Sequence, residues 1–214
     1  LIEVLDARRK LYGATSGEVA DALDALARVR ERQGNFAEAE KLSREALEVH
    51  ERTVGENHFV AGYQRTALAG VLLKRRNLAA AEQQARKALE IFSQTLPADH
   101  QYVASAEQVL GEVLIARGRL EEAEAVLRAA QDRWIRAQAT PWRIGRTTSS
   151  LGEAVLAQGR FAEAEELLLR GYRLVMNDAT ATQEARDKAR ERLARCYRET
   201  GQLDKLQALT RTTR

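Results

Sequence analysis

The sequence predicts an all-α fold, a right-handed solenoid of paired antiparallel helices. Three observations point to it: a pattern that recurs at a fixed step, a helix-forming composition, and breakers confined to the gaps between helical stretches. The clearest copy of the pattern is LGEAVLAQGRFAEAE at 151–165, and its relatives begin at Leu26, Leu68, Leu110 and Leu193. The leading leucines follow one another at 42, 42, 41 and 42 residues. A fixed period of about 20–50 residues marks stacked repeats, because one unit cannot bury its apolar face alone. Ala, Leu, Glu and Arg are abundant, and all favour helices. The chain of 214 residues holds only two prolines, Pro97 and Pro141, and both fall between helical stretches, where a missing backbone donor is tolerated.

Taken in order, residues 1–11 read as the second helix of a repeat whose first helix is absent. Leu5 stands 42 residues before Leu47, and Gly13, Gly55 and Pro97 follow at the same step as helix stops. The simplest expectation is a piece of a longer protein, cut within a repeat. The first helices of the following pairs are expected at 19–33, 59–76, 101–117, 142–158 and 182–200. Their second helices are expected at 36–52, 78–95, 120–137, 161–176 and 203–211. Thr140 and Pro141 make a good helix start, as cap and first helical residue. Thr180 with Gln183 has the spacing of a capping box. Gly34, Gly118, Gly159 and Gly201 suit the left-handed turn that ends a helix. The second repeat has Arg76 and Asn77 there; Asn tolerates that conformation better, but would move the register by one.

Large and small residues alternate at fixed places. Each leading leucine is followed by Ala27, Ala69, Gly111, Gly152 or Ala194, and ten residues on comes Phe36, Leu78, Leu120, Phe161 or Leu203. Three further on, the first four repeats have Ala39, Ala81, Ala123 and Ala164. Helices approach closely only at small side chains, with large neighbours filling the gaps. This pattern resembles the tetratricopeptide repeat (TPR) family over nearly the whole chain. The long period, with the segments at 46–61 and 88–104, is similar to the kinesin-light-chain type. The resemblance implies a single TPR superhelix over 1–214: a truncated repeat at 1–11, full repeats at 19–54, 59–96, 101–137 and 142–176, and a degenerate cap at 180–214. It also implies a protein-interaction scaffold. The Ala- and Arg-rich helices are similar to C-terminal extensions of bacterial serine/threonine protein kinases, so a docking or regulatory region of such an enzyme is the alternative.

Composition narrows the function. A net charge of +3 with both signs interleaved leaves no clustered basic face, which disfavours nucleic acid. No apolar run approaches the ~20 residues of a membrane span. One cysteine, Cys196, allows no internal disulfide and is compatible with a reducing, cytoplasmic setting. It stands where other repeats have Val29, Val71, Val113 and Ala154, so it reads as a buried thiol. His58 and His100 occupy equivalent loops and read as packing or helix-start residues rather than metal ligands. Trp134 and Trp142, with Arg133, Arg136 and Arg143, read chiefly as packing around a loop, with a binding hot spot as the lesser alternative. No phosphate-binding loop, dinucleotide fingerprint or nucleophile elbow occurs. The reading is non-catalytic, with no cofactor and no metal.

The one candidate site is the face of each first helix turned away from its partner. Positions −5, −2, +2, +5 and +6 from the leading leucine fall about 180° from it at 100° per residue. In the TPR family this face lines the concave surface. Here Leu73, Ile115 and Leu156 recur at one position. They are expected either to pack between first helices or to form an apolar floor for a bound peptide. Tyr63, Lys74, Gln108, Glu112, Arg146 and Glu153 would form its rim. The family's carboxylate clamp uses Lys and Asn at −2 and +2. Asp24 and Arg28 stand there instead, which disfavours a chaperone-tail receptor. Self-association through exposed repeat ends is a further expectation.

Overall fold

A computed structural model describes residues 2–211, and those residues form eleven α-helices and no strand. They are α1 (Ile2–Tyr12), α2 (Gly17–Arg32), α3 (Phe36–Val54), α4 (Phe59–Lys74), α5 (Leu78–Thr95), α6 (Gln101–Ala116), α7 (Leu120–Arg136), α8 (Pro141–Ala157), α9 (Phe161–Met176), α10 (Gln183–Glu199) and α11 (Leu203–Arg211). Helices pack in consecutive pairs. The fold divides into two compact units, Leu1–Val113 and Leu114–Arg214.

Five helix-to-helix turns share one geometry. Gly34, Arg76, Gly118, Gly159 and Gly201 all have left-handed backbones, with φ between 61° and 78°. In each the following residue donates across the turn: Asn35 N to Arg30 O at 2.9 Å, and Asn77 N to Leu72 O at 3.0 Å. These six-to-one bonds close Schellman motifs and satisfy the last carbonyls. In the second repeat Arg76 itself takes the strained conformation. Asn77, the better-suited residue, starts α5, so the register does not move. Helix starts also correct the sequence reading. Thr182, not Thr180, caps α10 by accepting from Ala185 N at 3.2 Å, while Thr180 Oγ1 donates to Asp178 at 2.6 Å. Thr140 stands at the cap of α8 but its side chain accepts no cap bond; Asp178 Oδ2 takes the Trp142 N–H instead, at 3.0 Å. His58 and His100 each begin a helix, accepting through Nδ1 from Val60 N (3.3 Å) and Tyr102 N (3.1 Å).

In the first unit, Leu5 of α1 packs with Val19, Leu23 and Leu26 of α2 and with Leu42 and Ala46 of α3. Further along, Phe92 lies fully buried with Ala88, Val103 and Ala106, beneath Phe59, Tyr63 and Tyr102. A Cβ on Gly62 would lie 2.6 Å from the Phe92 ring, so the missing side chain is what seats it.

The second unit relies on close helix approach. Gly145 and Gly171 face one another across α8 and α9, and a Cβ on either would stand 2.8 Å from the other's carbonyl oxygen. Thr147, Thr148, Ser149 and Ser150 are buried alongside. Three of these hydroxyls donate one turn back along α8, Thr148 to Ile144 O at 2.8 Å among them, and so enter an apolar interface without losing their hydrogen bonds. Ala39, Ala81, Ala123, Ala164 and the leading leucines are buried as their spacing predicts. Phe161 and Leu203 are not: they are 48% and 60% exposed. Each begins its helix, and a helical side chain leans over the preceding turn, which is absent there.

A glutamate recurs fourteen residues past the leading leucine, and at three of its places it ties a helix pair to the next turn. Glu40 pairs with Arg75, Glu124 with Gln158 and Arg160, and Glu165 with Gln202 and Lys205.

Candidate functional site

In the first unit the predicted face is knitted by polar contacts between successive first helices. The Asp24 carboxylate is buried and pairs with Arg28 at 3.0 Å. Arg28 in turn donates to the Tyr63 hydroxyl at 3.3 Å, joining α2 to α4. Lys74 pairs with Glu31 at 2.9 Å across the same two helices. Burial pushes the Asp24 carboxyl above its ordinary value, with Arg28 opposing. Tyr63 is likewise raised by burial, with the Asp24 charge adding to it. Half-buried Leu73 lies on α4 one residue before Lys74. On α6, Gln108 and Glu112 are buried, and Gln108 Nε2 donates to Glu112 Oε1 at 2.8 Å. The spacing placed these two on a rim. Both are buried instead, and the bond between them runs one turn along the helix, giving the buried carboxylate a donor.

In the second unit, Ile115 and Arg146 are half-buried. Glu153 receives Arg192 of α10 at 2.6 Å, with Arg195 at 3.7 Å. Leu156 is only 2% exposed. Of the three recurring aliphatic positions, therefore, Leu73 and Ile115 keep some surface and Leu156 is packed away. A continuous apolar floor does not form at Leu156, because α10 lies against α8 there and reaches Glu153 from the same face.

The sequence marks His50 only as a third histidine, on a second helix. It lies on α3, buried, with Nε2 accepting and donating no hydrogen bond; Asp21 Oδ1 stands 3.8 Å away. Burial lowers its pKa, with Asp21 and Asp24 opposing. Nothing in the repeat marks this position, since Phe92 follows it 42 residues later. Cys196 is buried, and its thiol is pushed up by that burial. Trp134 is buried, and the Arg143 guanidinium lies 5.4 Å and 4.9 Å from the Trp134 and Trp142 rings, closing the α7–α8 loop. Among the described residues no group of three or more His, Cys, Asp or Glu is placed to hold a metal ion. No helix of the described residues is long and apolar enough to cross a membrane.

Family models described as tetratricopeptide repeat match residues 19–59, 59–136 and 102–177. Solved structures agree on the fold. TPR-like repeats of a kinesin light chain from Podosopora anserina are 22% identical, with 89% of this chain and 91% of that one covered and a TM-score of 0.67. BtubC (BKLC) from P. vanneervenii is 18% identical, with 97% and 84% covered and a TM-score of 0.76. A Rap protein solved with competence and sporulation factor is 17% identical, with 94% and 58% covered and a TM-score of 0.75. No curated protein matches the sequence.

Proposed function

Because the chain belongs to the tetratricopeptide repeat family, whose repeats serve in general as protein–protein interaction modules, we propose that it is a non-catalytic scaffold that docks a peptide or partner domain on its first-helix faces. The observation that carries this is Leu73, an aliphatic side chain left partly open on a face otherwise closed by the Asp24–Arg28–Tyr63 and Glu31–Lys74 contacts. An apolar anchor ringed by charges that fix register is the anatomy of a binding hot spot. Ile115 has the same register in the second unit and is half-buried too. The Rap protein's complex with competence and sporulation factor supports the reading by likeness of fold alone.

Two substitutions test it. L73D and I115D, each with unchanged helix content by circular dichroism, are compared with the wild type for partner capture. The proposal expects each to weaken capture. Normal capture by both folded variants overturns it.

A second proposal is that the array serves as the docking region of a bacterial serine/threonine kinase, which the Ala- and Arg-rich helices favour. The reading frame upstream of Leu1 decides this: a glycine-rich loop and an H-R-D-type segment support it, and their absence from a full-length frame rejects it.

A further inference from the structure

The second helices carry a charge pattern that breaks once. Eighteen residues past the leading leucine, the first three full repeats have Arg44, Arg86 and Arg128. Each reaches a glutamate one turn back: Glu40 at 2.8 Å, Glu82 at 2.8 Å and Glu124 at 2.7 Å. Four residues further on come the acids Glu48, Glu90 and Asp132. At these two positions α9 has Leu169 and Arg173. A helix face that balances its own charge in the other repeats is apolar and cationic here.

The structure places a groove of about 340 Å³ on this face, lined by Glu166, Leu169, Arg170, Arg173 and Leu174. The lining residues recur at helical spacing along α9. Leu169 and Leu174 are half-buried; Arg170 and Arg173 are exposed. Among the described residues neither guanidinium forms an ion pair or a side-chain hydrogen bond. Glu165, the counterpart of Glu40, is already engaged by Gln202 and Lys205.

We infer that this groove is a second docking site, separate from the first-helix faces, for an acidic segment of a partner protein. The segment seats an apolar side chain against Leu169 and Leu174 and sets carboxylates on Arg170 and Arg173. Guanidinium forks match carboxylates two bonds at a time, and these two have no carboxylate of their own. Two arginines are too few for a membrane surface, which calls for clusters of about four to eight basic residues. Nucleic acid calls for a clustered basic face, and two arginines beside Glu166 do not make one.

The test uses a labelled peptide in which leucines are flanked by glutamates, the same peptide with lysines for glutamates, and phosphatidylserine vesicles. L169R combined with R173E writes the pattern of the first three repeats into α9, so it is built to keep the fold. The glutamate peptide is expected to bind the wild type, more tightly at low salt, and to lose at least about tenfold in affinity to the double variant. L73D, on the first helix α4, is expected to bind it as the wild type does. Failure of the glutamate peptide to bind, equal binding of the lysine peptide, an unchanged affinity in the double variant, loss in L73D, or vesicle binding without peptide binding each overturns the inference.

Discussion

Gly171→Ala places a methyl group where α8 and α9 meet backbone to backbone. The new Cβ would stand 2.7 Å from Ser149 N, 2.8 Å from Gly145 O and 3.0 Å from Ser149 Cα. Carbon contacts are comfortable only from about 3.5 Å, so the helices must part by several tenths of an ångström. None of the three atoms belongs to a side chain that could rotate away. Overpacking costs about 1–3 kcal/mol, and a clash with fixed backbone belongs near the top of that range. Against it, Ala gains about 1 kcal/mol over Gly inside a helix. The net expectation is a loss of about 2 kcal/mol. Gly70→Ala is the matched control, because a Cβ in the middle of α4 meets nothing within 4 Å. There only the gain of about 1 kcal/mol remains. Urea unfolding followed by helical circular dichroism reads both. A Gly171→Ala variant as stable as the wild type, or a Gly70→Ala variant destabilised as much, would refute the close-approach account.

Three further outcomes follow from named contacts. Arg76→Gly should raise stability by about 1 kcal/mol in the same assay, since it removes a side chain from a left-handed turn that the other four turns give to glycine. His58→Ala removes the side chain that accepts from Val60 N and should lower stability by about 1 kcal/mol. Glu124→Gln should lower it by about 1 kcal/mol at neutral pH, a modest value because its arginine partners are more than 40% exposed. The pH dependence has a definite sign. Burial pushes the Glu124 carboxyl up, but hydrogen bonds from Gln158, Arg128 and Arg160 outweigh it, and its pKa lies below the ordinary 4.5. A depressed carboxylate contributes stability that is present above its unfolded pKa and is lost as pH falls through the folded one. Acid titration of Glu124→Gln should therefore fall less steeply below about pH 4.5 than the wild type, and parallel curves would contradict the pairing.

Helix positions were legible because the period, the alanines and the leading leucines each mark the same register. α5, α9 and α11 match their expected bounds to the residue. Arg76 misled because propensity favours Asn at a left-handed position. Closing the six-to-one bond to Leu72 required the residue in register, whatever its identity. The site was less legible. Leu73, Ile115 and Leu156 look alike in sequence, yet what covers each depends on the next first helix, and only Leu156 is packed away. Gln108 and Glu112 looked like rim residues because spacing gives direction and not depth. The α9 groove was written in the sequence all along, as Leu169 and Arg173 against Arg and an acid elsewhere. It emerges only when the repeats are compared at a position that the fold does not constrain.

Photo-crosslinking of a captured, purified partner tests the docking proposal most directly. A photoreactive residue is placed at Arg32, exposed on the α2 face, or at Gln83, exposed on α5. The account predicts an adduct from position 32, none from position 83, and loss of the adduct when L73D is added. Equal labelling at both positions, or an adduct that L73D leaves untouched, would contradict it.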